Sequence, residues 1–386
     1  MGVLTTPSSR IPDGLTSDGP PIRLLDLFAG CGGFSQGFRQ ASHRFQVARA
    51  VEMDLAAAAS FAATFGPEVV YHGKIEQWLK DETVPEVDVV VGGPPCQGFS
   101  QLGKQDTTDD RNGLWRQYVR AVKFASPKFF VLENVPTFLN TSEYQTFRRM
   151  TQRGRQLADY DFRPYLLNAA DYGAPQLRKR VIVVGWRRDD GDPGVPIPTH
   201  SGVWIDVRTA LKGVPKHVVD TQLPNRTYRF NGWDLPGPFR GRDIHVTRNF
   251  EQISLDRFTA IPPGGGRFDL PDGLKAPCWI DHTTGSGDVM GRLHWDRPAV
   301  TIRTEFIKPE KGRYIHPSEH RAITPYEGAL LQGFPPEHRW VGSKTSIVKQ
   351  IGNAVPIPLG TAIARHLLDH FPLVTDSTHG ESNRYD

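Results

Sequence analysis

Cysteine is scarce: Cys31, Cys96 and Cys278 are the only three in 386 residues. An odd number this small cannot build a disulfide framework in a chain of such length, and none sits in a C-x-x-C pair, so the expectation is a reducing compartment and no metal site. No apolar run of ~18 residues occurs, and the N-terminus lacks a basic stretch followed by an apolar one, so neither a membrane span nor a secretory signal is read. A strong excess of one charge is lacking as well. Lys+Arg 46 against Asp+Glu 42 leaves +4, which permits a polyanionic partner without requiring one. Glycine (38) and proline (32) are plentiful, yet together they stay short of the ~25–30% that marks low complexity. What remains is a chain long enough for two domains, or for one domain with a sizeable insertion.

Residues 1–20 are rich in Ser, Thr, Pro and Gly and read as a disordered leader, and 375–386 read as a polar tail. Between them the pattern alternates. Short apolar runs at 23–28, 46–52, 87–91, 129–132 and 181–186 predict strands, and segments 34–40, 55–65, 114–124 and 142–157 predict helices. This rhythm predicts an α/β fold, a doubly wound, mostly parallel sheet formed by 21–186 and rejoined by 292–374, with a last helix at 358–368. Prolines and glycines crowd 192–198, 235–239 and 261–266, so 187–291 reads as an inserted, loop-rich module.

Three constellations carry chemistry. Gly30, Gly32 and Gly33 lie between the first strand and the first helix, where glycine allows a tight turn and close approach of a cofactor to a helix N-terminus. Glu52 ends the second strand, at the distance from the glycines where a carboxylate accepts ribose hydroxyls. Such a turn could also serve packing alone, and the absent third glycine of G-x-G-x-x-G disfavours a nicotinamide cofactor. Gly93-Pro94-Pro95-Cys96-Gln97 follows the fourth strand and puts a thiol at the carboxyl edge of the sheet, where a nucleophile is useful and a core cysteine is out of place. Glu133 closes the next apolar strand on that edge, as a functional acid or else a cap or ion-pair partner, and Arg178 and Arg180 open the last one, on one face by the two-residue period.

Taken in order, Asp26 to Phe34, Glu52, Gly93-Pro94-Pro95-Cys96-Gln97, Arg111-Asn112-Gly113-Leu114, Glu133-Asn134-Val135, Gln176-x-Arg178-x-Arg180, Arg297 to Ile302 and Gln350-Ile351-Gly352-Asn353-Ala354-Val355-Pro356 resemble the motif set of the DNA cytosine-5 methyltransferases, of the prokaryotic modification-methylase type. The resemblance covers 22–371. It implies the S-adenosylmethionine-dependent methyltransferase fold and methyl transfer to carbon 5 of a cytosine flipped out of double-stranded DNA. Carbon 5 is too weak a nucleophile by itself, so the thiolate of Cys96 adds at carbon 6, Glu133 relieves charge at ring nitrogen 3, and Arg180, with Arg178 beside it, binds the carbonyl at carbon 2. S-adenosyl-L-methionine is placed against Phe28, Gly30, Cys31, Gly32 and Gly33, with Glu52 on the ribose, Met53 and Ile75 at the adenine, and Pro94, Leu114, Asn353 and Val355 closing the pocket. Gln97, Ser100 and Arg111 are expected at the DNA, the loop 99–110 with Lys104 over the flipped base. The module 187–291 is expected to read sequence, with Arg240 and Arg242 among seven arginines between 226 and 267 that face four acids. One departure stands out: Lys74 occupies the position where the family carries an acid to accept from the adenine amine, and lysine cannot accept.

The resemblance further implies a cytoplasmic, nucleoid-associated prokaryotic monomer acting beside a cognate restriction endonuclease, or a solitary methylase. Two alternatives stay open: a tRNA cytosine-5 methyltransferase of the same fold, and a DNA-binding relative without turnover.

Overall fold

A computed structural model of the chain describes residues 19–95, 113–280, 284 and 286–372. The first half alternates as β1 (Ile22–Leu27), α1 (Gly33–Ala41), β2 (Phe45–Glu52), α2 (Leu55–Phe65), β3 (Val70–His72), α3 (Ile75–Asp81), β4 (Val89–Gly92), α4 (Leu114–Ala125), β5 (Phe129–Asn134), α5 (Ser142–Met150), β6 (Tyr160–Asn168), β7 (Gln176–Leu177) and β8 (Lys179–Arg187). Seven of these strands form one sheet in the order β3-β2-β1-β4-β5-β8-β6. β8 runs antiparallel to both of its neighbours, and the β3-to-β5 pairings are parallel. The sheet is the doubly wound, mostly parallel one expected. Its order reverses beside β1, which lies between β2 and β4, and the reversal opens a crevice at the carboxyl ends of the strands.

The central strands are apolar because both faces are covered. Phe129 and Val131 of β5 join Val89, Val91, Phe34 and Phe38 under α1 and α11 (Ile357–Leu368), whereas Phe130 and Leu132 join Val90, Trp78, Tyr118 and Phe147 under α3, α4 and α5. The two-residue alternation thus splits one strand between two cores. Local chemistry sets the helix ends. The Asp54 side chain accepts from Ala56 N and Ala57 N at the start of alanine-rich α2, and Thr141 caps α5 through Tyr144 N. α1 and α11 cross so closely that a Cβ on Gly37 would lie 2.9 Å from the backbone of Gly360 and Thr361.

Two expectations need correction. The helix over 142–157 ends at Met150, beyond which the chain turns, with Gly154 at φ +76, before β6 begins. β6 itself escaped the apolar pattern. It is one of the sheet's two edge strands, half-exposed, and it tolerates Pro164, which removes a backbone donor.

Beyond β8 lie α6 (Val207–Ala210), the hairpin of β9 (Thr227–Phe230) and β10 (Trp233–Pro236), α7 (Gln252–Ala260), α8 (Pro277–Ile280), β11 (Ala299–Val300), α9 (Pro325–Leu331) and α10 (Lys344–Asn353). The hairpin turns on Asn231 and Gly232, both at positive φ, as a tight two-residue turn requires. Packing does not break at residue 291. Val207, Leu211, Phe239 and Ile244 share a core with Leu293, Ile302, Phe306, Trp340 and Ile351, while Phe258, Ile261, Leu270 and Met290 form a smaller cluster that includes Ile315. No helix among the described residues is long and apolar enough to cross a membrane.

Candidate active site

Topology brings the chemistry-bearing residues to one edge. Leu27 pairs with Gly92 and Gly92 with Leu132, so β1 and β4 end level while β5 runs two residues further, and the glycine turn, the Gly93-Pro94-Pro95 run and Glu133 lie side by side at this edge. Because β8 is antiparallel, its beginning lies on this carboxyl edge: Glu133 pairs with Ile182, two residues beyond Arg180. There Arg180 Nε meets Glu133 Oε1 at 2.7 Å, each side chain 14% exposed. Gly93 leaves the room: a Cβ there would sit 3.0 Å from Glu133 Oε2. Asn134 stiffens the edge, donating to Pro94 O (3.3 Å) and accepting from Val135 N (2.8 Å). Pro94 is buried and Pro95 exposed. Cys96, Gln97, Ser100, Lys104 and Arg111 lie outside the described residues.

The two arginines part. Arg178 is 3% exposed and spends its Nη groups on main-chain carbonyls, Ile302 O at 2.9 Å and Gly352 O at 3.1 Å, tying this edge to the end of α10. Burial, and then the neighbouring Arg180, pushes its pKa down to about 9. Gln176 does similar work: its Nε2 donates to Leu331 O (2.9 Å) and Gln332 Oε1 (2.6 Å), and its Oε1 accepts from Ile302 N (3.1 Å). Gln332 donates onward to Ile351 O at 2.6 Å. Gly352 admits the close approach, since a Cβ there would lie 2.4 Å from the backbone of Arg303. Gln332 went unnoticed in the sequence because one glutamine after an apolar helix carries no pattern.

At the first turn, Glu52 accepts from Gly30 N (2.8 Å) and Asp54 N (2.7 Å). Burial raises its pKa, against the pull of those two backbone donors. Gly30, at φ +57, has open space where a Cβ would be, so the turn is a cradle beside a half-buried acid. Gly32 is at φ +92 and packs on Phe61 and Phe65, and Gly33 begins α1 against the backbone of Val355. Phe28 holds a left-handed conformation, φ 56, which aims the chain into the turn. Cys31 is buried, its thiol directed at Gln350 O (3.8 Å) and pushed up by desolvation, so its side chain faces the core. Around the cradle Met53, Lys74 and Asn353 are exposed, Leu114 is half-buried, and Ile75 and Val355 are buried. Lys74 precedes α3 as its N-cap, with no side-chain cap. Deeper, Asp26 accepts from Ser35 Oγ (2.6 Å), and burial raises it to about 7.

The arginines of 226–267 also divide. Arg226 pairs with Asp243 and Arg229 with Asp234 at the surface. Arg257 donates to Leu274 O and Arg267 to Thr284 O. Arg240 and Arg242 are exposed and, among the described residues, their guanidinium groups form no ion pair, although Arg240 N donates to Asp243 Oδ2 at 2.8 Å. His316 and His320, and His366 and His370, are spaced four apart, but no group of three or more His, Cys, Asp or Glu side chains placed to hold a metal occurs among the described residues.

Comparison with known proteins fits this geometry. The family model for C-5 cytosine-specific DNA methylase matches residues 22–369. The chain is similar to the type II methyltransferase M1.HphI of Haemophilus parahaemolyticus, 34% identical over 357 residues that cover 90% of this chain and 87% of that protein. It is also similar to the type II methyltransferase M.DdeI of Desulfomicrobium norvegicum, 31% identical with 92% and 91% covered. Among solved structures, a chain described as a DNA modification methyltransferase encoded within an Escherichia coli prophage superposes with a TM-score of 0.67 at 26% identity, covering 90% of this chain and 99% of that one. The Schizosaccharomyces pombe Dnmt2 methyltransferase shares the fold at a TM-score of 0.57 and 16% identity.

Proposed function

The chain belongs to the C-5 cytosine-specific DNA methylase family, and from that premise we propose how its own residues carry the reaction and which partners it meets. It is a DNA cytosine-5 methyltransferase. The methyl donor we propose is S-adenosyl-L-methionine, held in the cradle at Gly30, Gly32 and Gly33 with Glu52 on the ribose and Met53, Ile75, Leu114, Pro94, Asn353 and Val355 around it. The fit rests on the open space at Gly30 and on the half-buried Glu52 carboxylate, whose partners among the described residues are backbone donors. Once bound, this sulfonium supplies an electrophilic methyl group.

The observation that carries the chemical reading is the Glu133–Arg180 pair beside Pro94, two residues before Cys96. Cys96 adds to carbon 6 of the flipped cytosine, and the ring accumulates negative charge. Glu133 relieves it at nitrogen 3 and accepts from the exocyclic amine, while Arg180 keeps Glu133 in place and offers its remaining N–H groups to the carbonyl at carbon 2. The adduct makes carbon 5 nucleophilic toward the methyl group the donor would supply; once carbon 5 carries that methyl, a base takes its remaining proton and Cys96 leaves by elimination. Arg178, its Nη groups already committed to two carbonyls, acts as a positioning residue. Gln97, Ser100 and Arg111 contact DNA, and Arg240 and Arg242 are the base readers proposed in 187–291. The setting proposed is a prokaryotic restriction-modification system, with the protein a cytoplasmic, nucleoid-associated monomer and a cognate endonuclease cutting the same site. The retained Glu133–Arg180 geometry favours turnover over a merely DNA-binding role.

The test is covalent trapping. With DNA carrying 5-fluorocytosine and cofactor, the wild type forms an adduct that survives denaturation, and Cys96→Ser forms none. Bisulfite sequencing of DNA from expressing cells maps the site, and a parallel assay on tRNA separates the alternative substrate. A Cys96→Ser variant with a tenth of the wild-type rate would overturn the assignment.

A further inference from the structure

A groove of about 680 Å³ runs beside the catalytic edge and belongs to none of the sites above. One wall is Leu177, Val203 and Trp204, and the other is the stretch from Leu293 to Val300. Single exposed apolar residues are ordinary, but Leu177 at 40%, Val203 at 79% and Trp204 at 43% exposed share this one groove. The indole is pinned, its Nε1 donating to Asp171 Oδ1 at 2.8 Å, so an aromatic face is held open to solvent in one orientation. The opposite wall is equally fixed: Val207 N donates to Arg297 O and Arg208 N to Trp295 O, both at 3.0 Å, and Leu293 N to Ile315 O at 2.9 Å.

Charge points to the occupant. Arg297 is exposed at the rim and, among the described residues, forms no ion pair, while Asp296 beside it can accept from a base amine. The groove is continuous with the catalytic edge. Leu177 stands between Gln176 and Arg178, pairs with Val300, and accepts from Thr301 Oγ1 at 2.8 Å. A rigid aromatic platform, an apolar floor and a cation at the rim are what a single-stranded nucleotide needs, a base to stack and a phosphate to neutralise. The volume lies within the ~300–1,000 Å³ of small-ligand pockets.

We propose that this groove holds an unstacked nucleobase of the DNA other than the target cytosine, stacked on Trp204 with its phosphate toward Arg297. The proposal rests on the DNA-methylase reading, and the fluorocytosine adduct tests that reading separately, since at saturating DNA and cofactor it requires Cys96 and not Trp204. The experiment uses full-length protein and a duplex carrying the site found by bisulfite sequencing, scanned with single abasic positions. Trp204→Ala should weaken DNA binding about tenfold or more, the scale of one lost base stack, with the KM for S-adenosylmethionine unchanged. Trp204→Phe should recover most of the loss. One abasic position should cost the wild type a similar factor and cost Trp204→Ala nothing further. Val203→Glu, a change at an exposed site that folding tolerates, should weaken binding and Val203→Lys should strengthen it. If Trp204→Ala and Val203→Glu bind within twofold of wild type, or no abasic position couples to Trp204, the proposal is wrong; altered self-association in those variants would instead mark the groove as a protein-docking face.

Discussion

The sheet and the segment that follows it solve the same problem by different means. In β4 and β5, backbone groups pair across the ladder and Val, Phe and Leu fill both faces, so the strands need no polar side chain to hold them. Among the described residues between 250 and 320 there is little ladder, and the buried Arg292 and half-buried Arg313 take its place. Arg292 donates to the carbonyls of Phe258, Ile261, His316 and Glu319, and Arg313 donates to those of Gly264, Gly265 and Arg292. Loops that cannot satisfy their own carbonyls borrow the five donors of a guanidinium. Arginine among the described residues therefore has two uses: some hold the chain together through carbonyls, and others, such as the exposed Arg240 and Arg242, are the ones we propose for reading DNA.

The sharpest way to test this contrast is to disable each region by its own mechanism. Glu133→Gln should lower the chemical rate by roughly 10²–10⁴-fold in single-turnover methylation, because the amide cannot supply the proton at nitrogen 3. Urea unfolding of that variant should move little, since the sheet does not rely on Glu133. Arg292→Met should do the reverse. It leaves four carbonyls without their donor, at about 1 kcal/mol each, so hydrogen exchange across 250–320 should speed up by two to three orders of magnitude while the amides of β4 and β5 stay protected.

A smaller effect is expected where the regions meet. Gly352→Ala forces a Cβ toward the Arg303 backbone and should cost about 1–3 kcal/mol in thermal or urea unfolding, with a weakened grip on the cofactor measured by calorimetry. Asp26 gives a pH signature for the sheet side. Burial holds its folded pKa near 7 against 3.8 as the ordinary value, so the native state keeps a proton that the unfolded chain has lost. Stability from this group is full below about pH 4 and declines as pH rises through 7; Asp26→Asn should flatten that decline in urea midpoints. The smallest effect belongs to Arg229→Ala, whose exposed pair with Asp234 is worth at most about 0.5 kcal/mol, and Arg240→Ala should by contrast relax sequence preference at one base by ~1–3 kcal/mol.

These contrasts mark where sequence suffices. The strands around the crevice were legible because burial on both faces demands an unbroken apolar run, and α2 matched its expected bounds because alanine, an Asp cap and a terminal glycine agree. The edge strand β6 was not, since one face in water and a proline leave no period to count.

By itself the sequence determined the family, the mostly parallel sheet, and the residue types at the catalytic edge, because ordered motifs and apolar periods are local facts. Only the tertiary structure decided what each side chain does. Arg178 and Arg180 share a face by periodicity, yet an antiparallel β8 sets one against Glu133 and buries the other on the carbonyls of Ile302 and Gly352. Cys31 sits in the glycine turn and still points into the core. Among seven arginines, four are taken by acids or carbonyls that sequence could not bring to them. A guanidinium's role depends on which acceptors lie within hydrogen-bond distance, and an acceptor can be as remote in the chain as Gly352 is from Arg178.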